Sequence, residues 1–221
     1  MFKSVLIAED HESASISVRK TLADLGVAHA DYVYYCDQAL QRIRKNAQSH
    51  QPIELLITDL YFEEDHNQQQ INGGVQLIKT AKQAQPNLKV LVFSAEPKAA
   101  VIDMLFNELG INGYVRKARH DAQELKLAIE NIYRNRQHFP AHLRQAVKQK
   151  NAYQFTDFDI TIISLLSNGM LQKDIPSYLQ KNNIKPSGLS SLEKRLNHIK
   201  ETLEFSKNEQ LVAFCKDMGI I

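Results

Sequence analysis

Short apolar runs alternate with amphipathic stretches along the first 134 residues of the chain. Several of these runs are rich in β-branched or aromatic residues, as buried strands tend to be. They predict five strands, at residues 5–8, 32–35, 55–58, 90–93 and 114–115. The stretches that follow them predict five helices, at about 13–25, 37–47, 75–84, 99–109 and 122–133. This alternation predicts a parallel sheet covered on both faces, with ligands at the carboxyl ends of its strands.

The pattern changes after Phe155, where strand-like runs end and four short helices are predicted. The first begins at a capping-box sequence, Thr156-Asp157-Phe158-Asp159, and ends near Gly169. The others are predicted at about 172–180, at about 190–203 with Glu193 in a capping-box position, and from Ser206 and Glu209 onwards. The predicted organisation is a domain at 1–134, a linker at 135–151 and a small all-α domain at 152–221.

The composition is that of an ordinary globular protein, with 43% hydrophobic and 24% charged residues among 221. No run approaches the roughly 20 apolar residues that a membrane span needs. The N-terminal segment runs directly into Glu9 and Asp10, and has no signal-peptide pattern. The two cysteines, Cys36 and Cys215, are far apart and have no metal-binding spacing. We therefore expect a cytoplasmic protein with reduced thiols and no membrane partner.

The charge is distributed unequally between the two predicted parts. Residues 1–134 carry 15 Lys and Arg against 17 Asp and Glu, a net charge of 15 − 17 = −2. Residues 135–221 carry 12 against 8, a net charge of 12 − 8 = +4. The second part is therefore the better candidate for contact with a polyanion.

Four predicted strands end in residues that can carry chemistry. Glu9 and Asp10 follow the first strand, Asp59 the third, Ser94 ends the fourth and Lys117 ends the fifth. Three crowded carboxylates repel one another unless a cation is present, and Mg²⁺ is the usual hard cation for oxygen ligands. A carboxylate beside Mg²⁺ can attack a phosphoryl group, and a lysine and a hydroxyl can hold the phosphoryl oxygens.

Each of these residues also has an ordinary structural interpretation. An aspartate after a strand is often a turn or helix-capping residue, Ser94 is placed to cap the next helix, and a single lysine is usually solvated. The functional interpretation rests on finding all of them at strand ends, in this order.

Residues 1–134 resemble the receiver domain of two-component response regulators, which has a flavodoxin-like five-stranded parallel sheet. The matching segments are Val5-Leu6-Ile7-Ala8-Glu9-Asp10, Leu55-Leu56-Ile57-Thr58-Asp59, Val90-Leu91-Val92-Phe93-Ser94-Ala95 and Gly113-Tyr114-Val115-Arg116-Lys117. The resemblance implies that Asp59 accepts a phosphoryl group from a sensor histidine kinase, with Mg²⁺ as cofactor. It implies no enzymatic turnover beyond slow loss of that phosphoryl group.

The resemblance also implies roles for the surrounding residues. Asp10 would bind Mg²⁺ directly, Glu9 through water, and Tyr61 through its backbone carbonyl. Ser94 matches the switch hydroxyl, Lys117 the phosphate-binding lysine, and Tyr114 the aromatic residue whose rotamer follows phosphorylation. Tyr114 can also be explained by core packing alone.

The loop after Asp59 departs from the family pattern. It is several residues longer than usual and carries three acids within residues 63–72. These acids would slow or redirect a phosphodonor, or add a contact to a second cation. A tolerated surface insertion is the simpler explanation.

Residues 155–221 resemble the LuxR/NarL-type helix-turn-helix domain. The matching segments are Ile162-Ile163-Ser164-Leu165-Leu166-Ser167-Asn168-Gly169, Lys173-Asp174-Ile175 and the apolar spacing of Leu192, Ile199 and Leu203. The candidate DNA contacts on the recognition helix are Lys194, Arg195, Asn197, His198 and Lys200. Two departures are an enlarged turn at 180–191 and an acid, Glu193, where relatives often place a lysine.

The sequence therefore predicts a phosphorylation-activated transcriptional regulator that binds double-stranded promoter DNA and dimerises when phosphorylated. The alternative keeps the phosphorylated switch but makes the helical domain a protein-interaction module that does not bind DNA. A phosphatase or phosphomutase with an aspartyl nucleophile is disfavoured, because the second acid that such enzymes need two residues on is replaced by Tyr61.

Overall fold

The computed structural model describes residues 1–63, 65–119, 121–140, 143 and 153–221. The chain divides into two compact units, Met1–Pro97 with Ile102–Ala141, and Lys98–Val101 with His142–Ile221. Most of the predicted linker at 135–151 lies outside the described residues, so the predicted boundaries at 134 and 152 stay a prediction.

The first unit is a five-stranded parallel sheet with the strand order β2-β1-β3-β4-β5. The strands are β1 (Val5–Ala8), β2 (Ala30–Val33), β3 (Leu55–Thr58), β4 (Lys89–Ser94) and β5 (Gly113–Arg116). The helices are α1 (Glu12–Asp24), α2 (Cys36–Gln48), α3 (Gly74–Ala84), α4 (Ala99–Asn107) and α5 (Asp121–Tyr133). This architecture confirms the predicted fold class.

The three central strands are the most apolar segments of the chain, because helices bury them on both faces. Every residue of β1 and β3 is buried, as are five of the six residues of β4. The register places Ala8 beside Thr58, and Thr58 beside Val92. The residues that follow these strands therefore emerge at one edge of the sheet.

The second strand lies two residues earlier than the predicted 32–35. Its pairing with β1 runs from Ala30 to Val33. Tyr35 has already left the sheet as the N-cap residue of α2, and Tyr34 is exposed. The aromatic run is therefore shared between the strand and the turn that follows it.

The second unit contains four described helices: α6 (Asp157–Ser167), α7 (Ile175–Lys181), α8 (Leu189–Thr202) and α9 (Asn208–Asp217). They enclose an apolar core made of Ile162, Ile163, Ile175, Leu179, Leu192, Leu196, Ile199, Leu203, Leu211, Phe214 and Cys215. The predicted capping box at the start of α6 is present, with the Thr156 hydroxyl and the Asp159 backbone and carboxylate as its members.

Three details of these helices differ from the predictions. The helix α7 begins at Ile175 rather than near residue 172, with Pro176 in its first turn. The predicted capping role of Glu193 is wrong, because the N-cap of α8 is Gly188 and Glu193 lies beyond the first turn. At α9 the side chain of Gln210, rather than that of Glu209, accepts hydrogen bonds from the backbone N–H groups of Ser206 and Lys207.

Within the described ranges, no helix combines the length and apolar character required to cross a membrane.

The close approach of Gly74 to the end of β3 yields a stability prediction. A Cβ atom at Gly74 would lie 1.9 Å from the carbonyl oxygen of Asp59, so Gly74→Ala must displace backbone. We expect it to lower the free energy of unfolding by about 3 kcal/mol. The control is Gly26→Ala, where φ is +72° but nothing lies within 4 Å of the added Cβ. That control should cost only about 1 kcal/mol. Equal losses in urea unfolding would contradict the prediction.

Candidate functional site

The five residues predicted at the strand ends come together at the carboxyl edge of the sheet. Lys117 Nζ lies 2.5 Å from Asp59 Oδ2 and 2.8 Å from Glu9 Oε2. The two carboxylates are deeply buried, with Glu9 2% and Asp59 5% exposed. Asp10 lies beside them and is partly exposed. The predicted grouping of acids and lysine is thus present as a compact cluster.

The backbone of the loop after β3 fixes the orientation of the Asp59 carboxylate. Asp59 Oδ1 accepts hydrogen bonds from the N–H groups of Leu60, at 2.5 Å, and Tyr61, at 3.4 Å. The Lys117 ammonium binds the other oxygen. Each oxygen of Asp59 therefore has its own donor, which holds the carboxylate in one rotamer.

Carboxylates outnumber cationic groups in this cluster, and burial and ion pairing shift the pKa values of Glu9 and Lys117. Burial raises the pKa of Glu9, although Lys117 partly opposes this effect. Burial by itself lowers the pKa of Lys117, but its hydrogen bonds to Asp59 and Glu9 outweigh burial and raise the pKa overall. The Lys117 ammonium pairs with Glu9 and Asp59, and Asp10 adds a third carboxylate beside them. The cluster can therefore accept a cation without excess positive charge.

The donor atoms of the cluster suit a hard cation. One ligand atom from each of Glu9, Asp10, His11 and Asp59 lies within 4.8 Å of the others. Three of these four donors are carboxylate oxygens, the ligands that Mg²⁺ prefers. The fourth residue, His11, was not predicted, although it directly follows the two acids in the sequence. Its Nδ1 lies 3.0 Å from Asp10 Oδ1, and hydrogen bonding to Asp10 raises the pKa of His11.

Ser94 lies at the end of β4 and is 0% exposed. Its hydroxyl oxygen is buried and has no hydrogen-bond partner among the described residues. Leaving a buried hydroxyl unpaired costs about 1–3 kcal/mol. An oxygen acceptor placed on the Asp59 side of the sheet edge would remove that cost.

Two tyrosines connect this edge to the segment after β4. Tyr114 is fully buried, and its hydroxyl donates to the carbonyl oxygens of Ser94, at 3.2 Å, and Glu96, at 2.5 Å. Burial raises its pKa. Tyr61, whose backbone carbonyl was the predicted metal ligand, is 57% exposed and hydrogen-bonds through its hydroxyl to the Glu96 carboxylate. That hydrogen bond raises the pKa of Tyr61 to about 12.

The long loop after β3 is attached to the start of α2. The carboxylate of Asp37 accepts hydrogen bonds from the backbone N–H groups of Gln70, at 2.8 Å, and Ile71, at 3.0 Å. The Tyr35 hydroxyl donates to Asp65 at 2.6 Å. One of the three acids of the loop, Glu64, lies outside the described residues. The loop is therefore hydrogen-bonded to the start of α2 at two places, Asp65 and the backbone of Gln70 and Ile71.

The candidate DNA contacts lie on α8, whose apolar side is buried. Lys194, Asn197 and His198 are exposed, and Lys200 is half-buried. Arg195 is different: its guanidinium forms a bidentate ion pair with the buried carboxylate of Asp159, with Nε 2.7 Å from Oδ1. The structure thus gives Arg195 an internal partner, and its contact to DNA stays a prediction.

The comparison with protein families gives one match, to the response regulator receiver domain over residues 5–130. This is more than half of the chain. The chain belongs to the response regulator family. No curated protein matches it.

Solved structures of RcsB share the fold over nearly the whole chain. RcsB of Salmonella typhimurium is 20% identical, with a TM-score of 0.57 over 98% of this chain and 99% of that chain. An RcsB–DNA complex is 19% identical, with a TM-score of 0.60 over 98% and 99%. RcsB from Salmonella enterica serovar Typhimurium, bound to promoter rprA with the phosphomimetic BeF3−, is 20% identical, with a TM-score of 0.55 over 97% and 98%. At these identities the likeness concerns the fold.

Response regulators are generally phosphoacceptor switches. In this response regulator the carboxylates of Glu9, Asp10 and Asp59 form an acidic cluster. The backbone anchors of the long loop and the Asp159 partner of Arg195 had no sequence signal, because none of these residues stands at the end of a predicted strand, where the topology brings residues together.

The ion pair of Lys117 yields a second prediction. Lys117→Met leaves two buried carboxylates without their ammonium, so the free energy of unfolding should fall by about 3 kcal/mol. Adding Asp59→Asn removes one of the two charges and should recover part of the loss. Urea unfolding of the wild type, the two single variants and the double variant measures this coupling. Strict additivity of the two substitutions would contradict it.

Proposed function

We propose that this response regulator is a phosphorylation-controlled transcriptional regulator in which Asp59 accepts a phosphoryl group from a sensor histidine kinase. The observation that carries the proposal is the contact of Lys117 with both Asp59 and Glu9, beside Asp10 and the unpartnered Ser94 hydroxyl. This arrangement supplies a nucleophile, a cation site and two groups that bind phosphoryl oxygens.

In the proposed transfer, a carboxylate oxygen of Asp59 attacks the phosphorus of a phosphohistidine. The P–N bond breaks, the imidazole leaves and an acyl phosphate forms on Asp59. The ammonium of Lys117 then holds one phosphoryl oxygen, and the Ser94 hydroxyl donates a hydrogen bond to another.

The carboxylates of Glu9, Asp10 and Asp59, with the backbone carbonyl of Tyr61, would hold Mg²⁺. The oxygen-rich donor set fits this ion. When bound, Mg²⁺ supplies positive charge that offsets the charge of the phosphoryl oxygens and the acids.

The switch would proceed through Ser94 and Tyr114. Movement of Ser94 towards a phosphoryl group would change the position of its carbonyl oxygen, which accepts a hydrogen bond from the Tyr114 hydroxyl. The segment from α4 to β5 would then shift between two states, and the phosphorylated state would favour a homodimer.

The output of the switch would be binding of double-stranded promoter DNA through α8. Its exposed residues Lys194, Asn197 and His198 lie opposite the buried apolar residues, with Lys200 at the margin. The positive charge of the C-terminal part is consistent with contact to phosphates. The described RcsB structures include DNA complexes, and their fold extends over both units of this chain.

A substitution at Asp59 tests the phosphotransfer. Asp59→Asn should abolish acyl phosphate formation from acetyl phosphate with Mg²⁺, because an amide is a poor nucleophile. Asp31→Asn, which changes a surface acid paired with Arg42, should leave it unchanged. Intact-mass measurement with and without EDTA detects the adduct. A phosphoryl adduct on the Asp59→Asn chain would refute Asp59 as the acceptor.

Selection of bound duplexes from random DNA tests the output. The full chain, phosphorylated, should recover a specific sequence whose affinity falls with salt. Lys194→Ala should weaken binding and reduce the slope of log affinity against log salt by about one. Failure to recover any sequence, with phosphorylation confirmed, would favour a protein-interaction module.

A further inference from the structure

A buried carboxylate lies in the helical unit, outside the site described above. Asp159, in the first turn of α6, is 0% exposed. The guanidinium of Arg195, on α8, donates two hydrogen bonds to its carboxylate: Nε to Oδ1 at 2.7 Å and Nη2 to Oδ2 at 2.8 Å. This two-pronged geometry is specific to arginine, because a lysine offers only a point charge.

Further donors complete the environment of Asp159. Its Oδ2 accepts from the Thr156 backbone N–H, at 2.9 Å, and from the Thr156 hydroxyl, at 2.8 Å. The Tyr153 hydroxyl donates to the same oxygen at 3.1 Å. Burial alone raises the pKa of Asp159, but the hydrogen bonds from Arg195 and Thr156 lower it overall. The carboxylate is therefore charged and well satisfied in the fold.

Tyr153 also touches α8 directly. Its ring lies under the Arg195 guanidinium at 5.7 Å and meets the His198 ring edge-on at 6.0 Å. Tyr153 precedes α6 in the chain. Through Asp159 it contacts α6, and through Arg195 and His198 it contacts α8. We call Tyr153, Thr156, Asp159 and Arg195 the Asp159 clamp.

We propose that Arg195 and Tyr153 are positioning residues for DNA recognition, which hold α8 at a fixed angle to α6 through Asp159. This inference rests on the proposed function of α8. Arg195 lies next to Lys194, and Asn197 and His198 follow within one turn, so a rotation of α8 would move all three candidate contacts together. If Arg195 instead turned outward to a DNA phosphate, Asp159 would remain buried without its counter-charge.

The clamp is tested first without DNA, by hydrogen exchange of α8 in the full chain. Arg195→Lys keeps the charge but loses the bidentate hydrogen bonding to Asp159. It should raise the rate of amide hydrogen exchange in residues 189–202 by about tenfold. Tyr153→Phe removes only the hydroxyl and should have a smaller effect of the same kind. Lys194→Ala, on the exposed side, should leave exchange in α8 unchanged. If Arg195→Lys exchanges like the wild type, the clamp does not hold α8.

The second test separates positioning from direct contact. The phosphorylated chain is titrated with a duplex recovered by selection from random DNA, over a series of salt concentrations. Arg195→Lys should weaken binding about tenfold and leave the salt slope unchanged, whereas Lys194→Ala lowers the slope by about one. Binding by Arg195→Lys within about twofold of the wild type would show that DNA binding does not need the bidentate geometry of Arg195, and would overturn the proposal.

The two tests also separate this inference from the proposed function. If the wild type recovers no DNA sequence, DNA binding fails while the exchange measurement still decides whether the clamp exists. If the wild type binds and Arg195→Lys binds within about twofold of it, only the positioning role fails.

Discussion

The electrostatic balance at the carboxyl edge of the sheet depends on one ammonium group. Lys117 Nζ contacts two buried carboxylates that come from different strands, Glu9 after β1 and Asp59 after β3. The order of the parallel strands makes this crowding unavoidable, since β1 and β3 are neighbours and Asp10 follows Glu9. The two buried acids, Glu9 and Asp59, are stabilised at the strand ends because Lys117, which follows β5, forms ion pairs with both. The same crowding leaves more carboxylates than cationic groups at this edge.

Asp59 and Asp159, which are both buried, are neutralised in different ways. Asp59 is paired with a lysine, whose single charged group lies on a flexible stem and can change partners. Asp159 is paired with an arginine, whose planar fork fits one geometry. The first pairing suits a residue whose charge and partners are to change. The second suits a residue that fixes two helices against each other.

Much of the first site followed from the sequence because each residue directly adjoins an apolar run. A run such as Leu55-Leu56-Ile57-Thr58 is recognisable as a buried strand, and the topology brings such strand ends together. The boundaries of β2 were less predictable, because Tyr34 and Tyr35 are typical strand residues although they lie between β2 and α2. The capping role assigned to Glu193 failed because the N-cap of α8 is Gly188, two residues before the expected Ser190.

Contacts between distant segments had no comparable signal. When only its own helix is considered, Arg195 has the positive charge expected of a DNA contact. Its exposed neighbour Lys194 has the same charge. The partner that distinguishes them lies 36 residues away in α6. The anchoring of the long loop by Asp37 is similar, since a side chain in α2 satisfies backbone groups 33 and 34 residues further on.

The magnitudes set a limit on what phosphorylation alone achieves in such a switch. Providing a partner for the buried Ser94 hydroxyl recovers about 1–3 kcal/mol. Lys117 contributes less, because it already has carboxylate partners and exchanges one acceptor for another. A gain of this size shifts a two-state equilibrium by a factor of roughly 5–150. Complete conversion from 1:99 to 99:1 needs about 5.5 kcal/mol. The difference has to come from contacts that form only in the active state, and contacts between two copies of the chain or with DNA are of that kind.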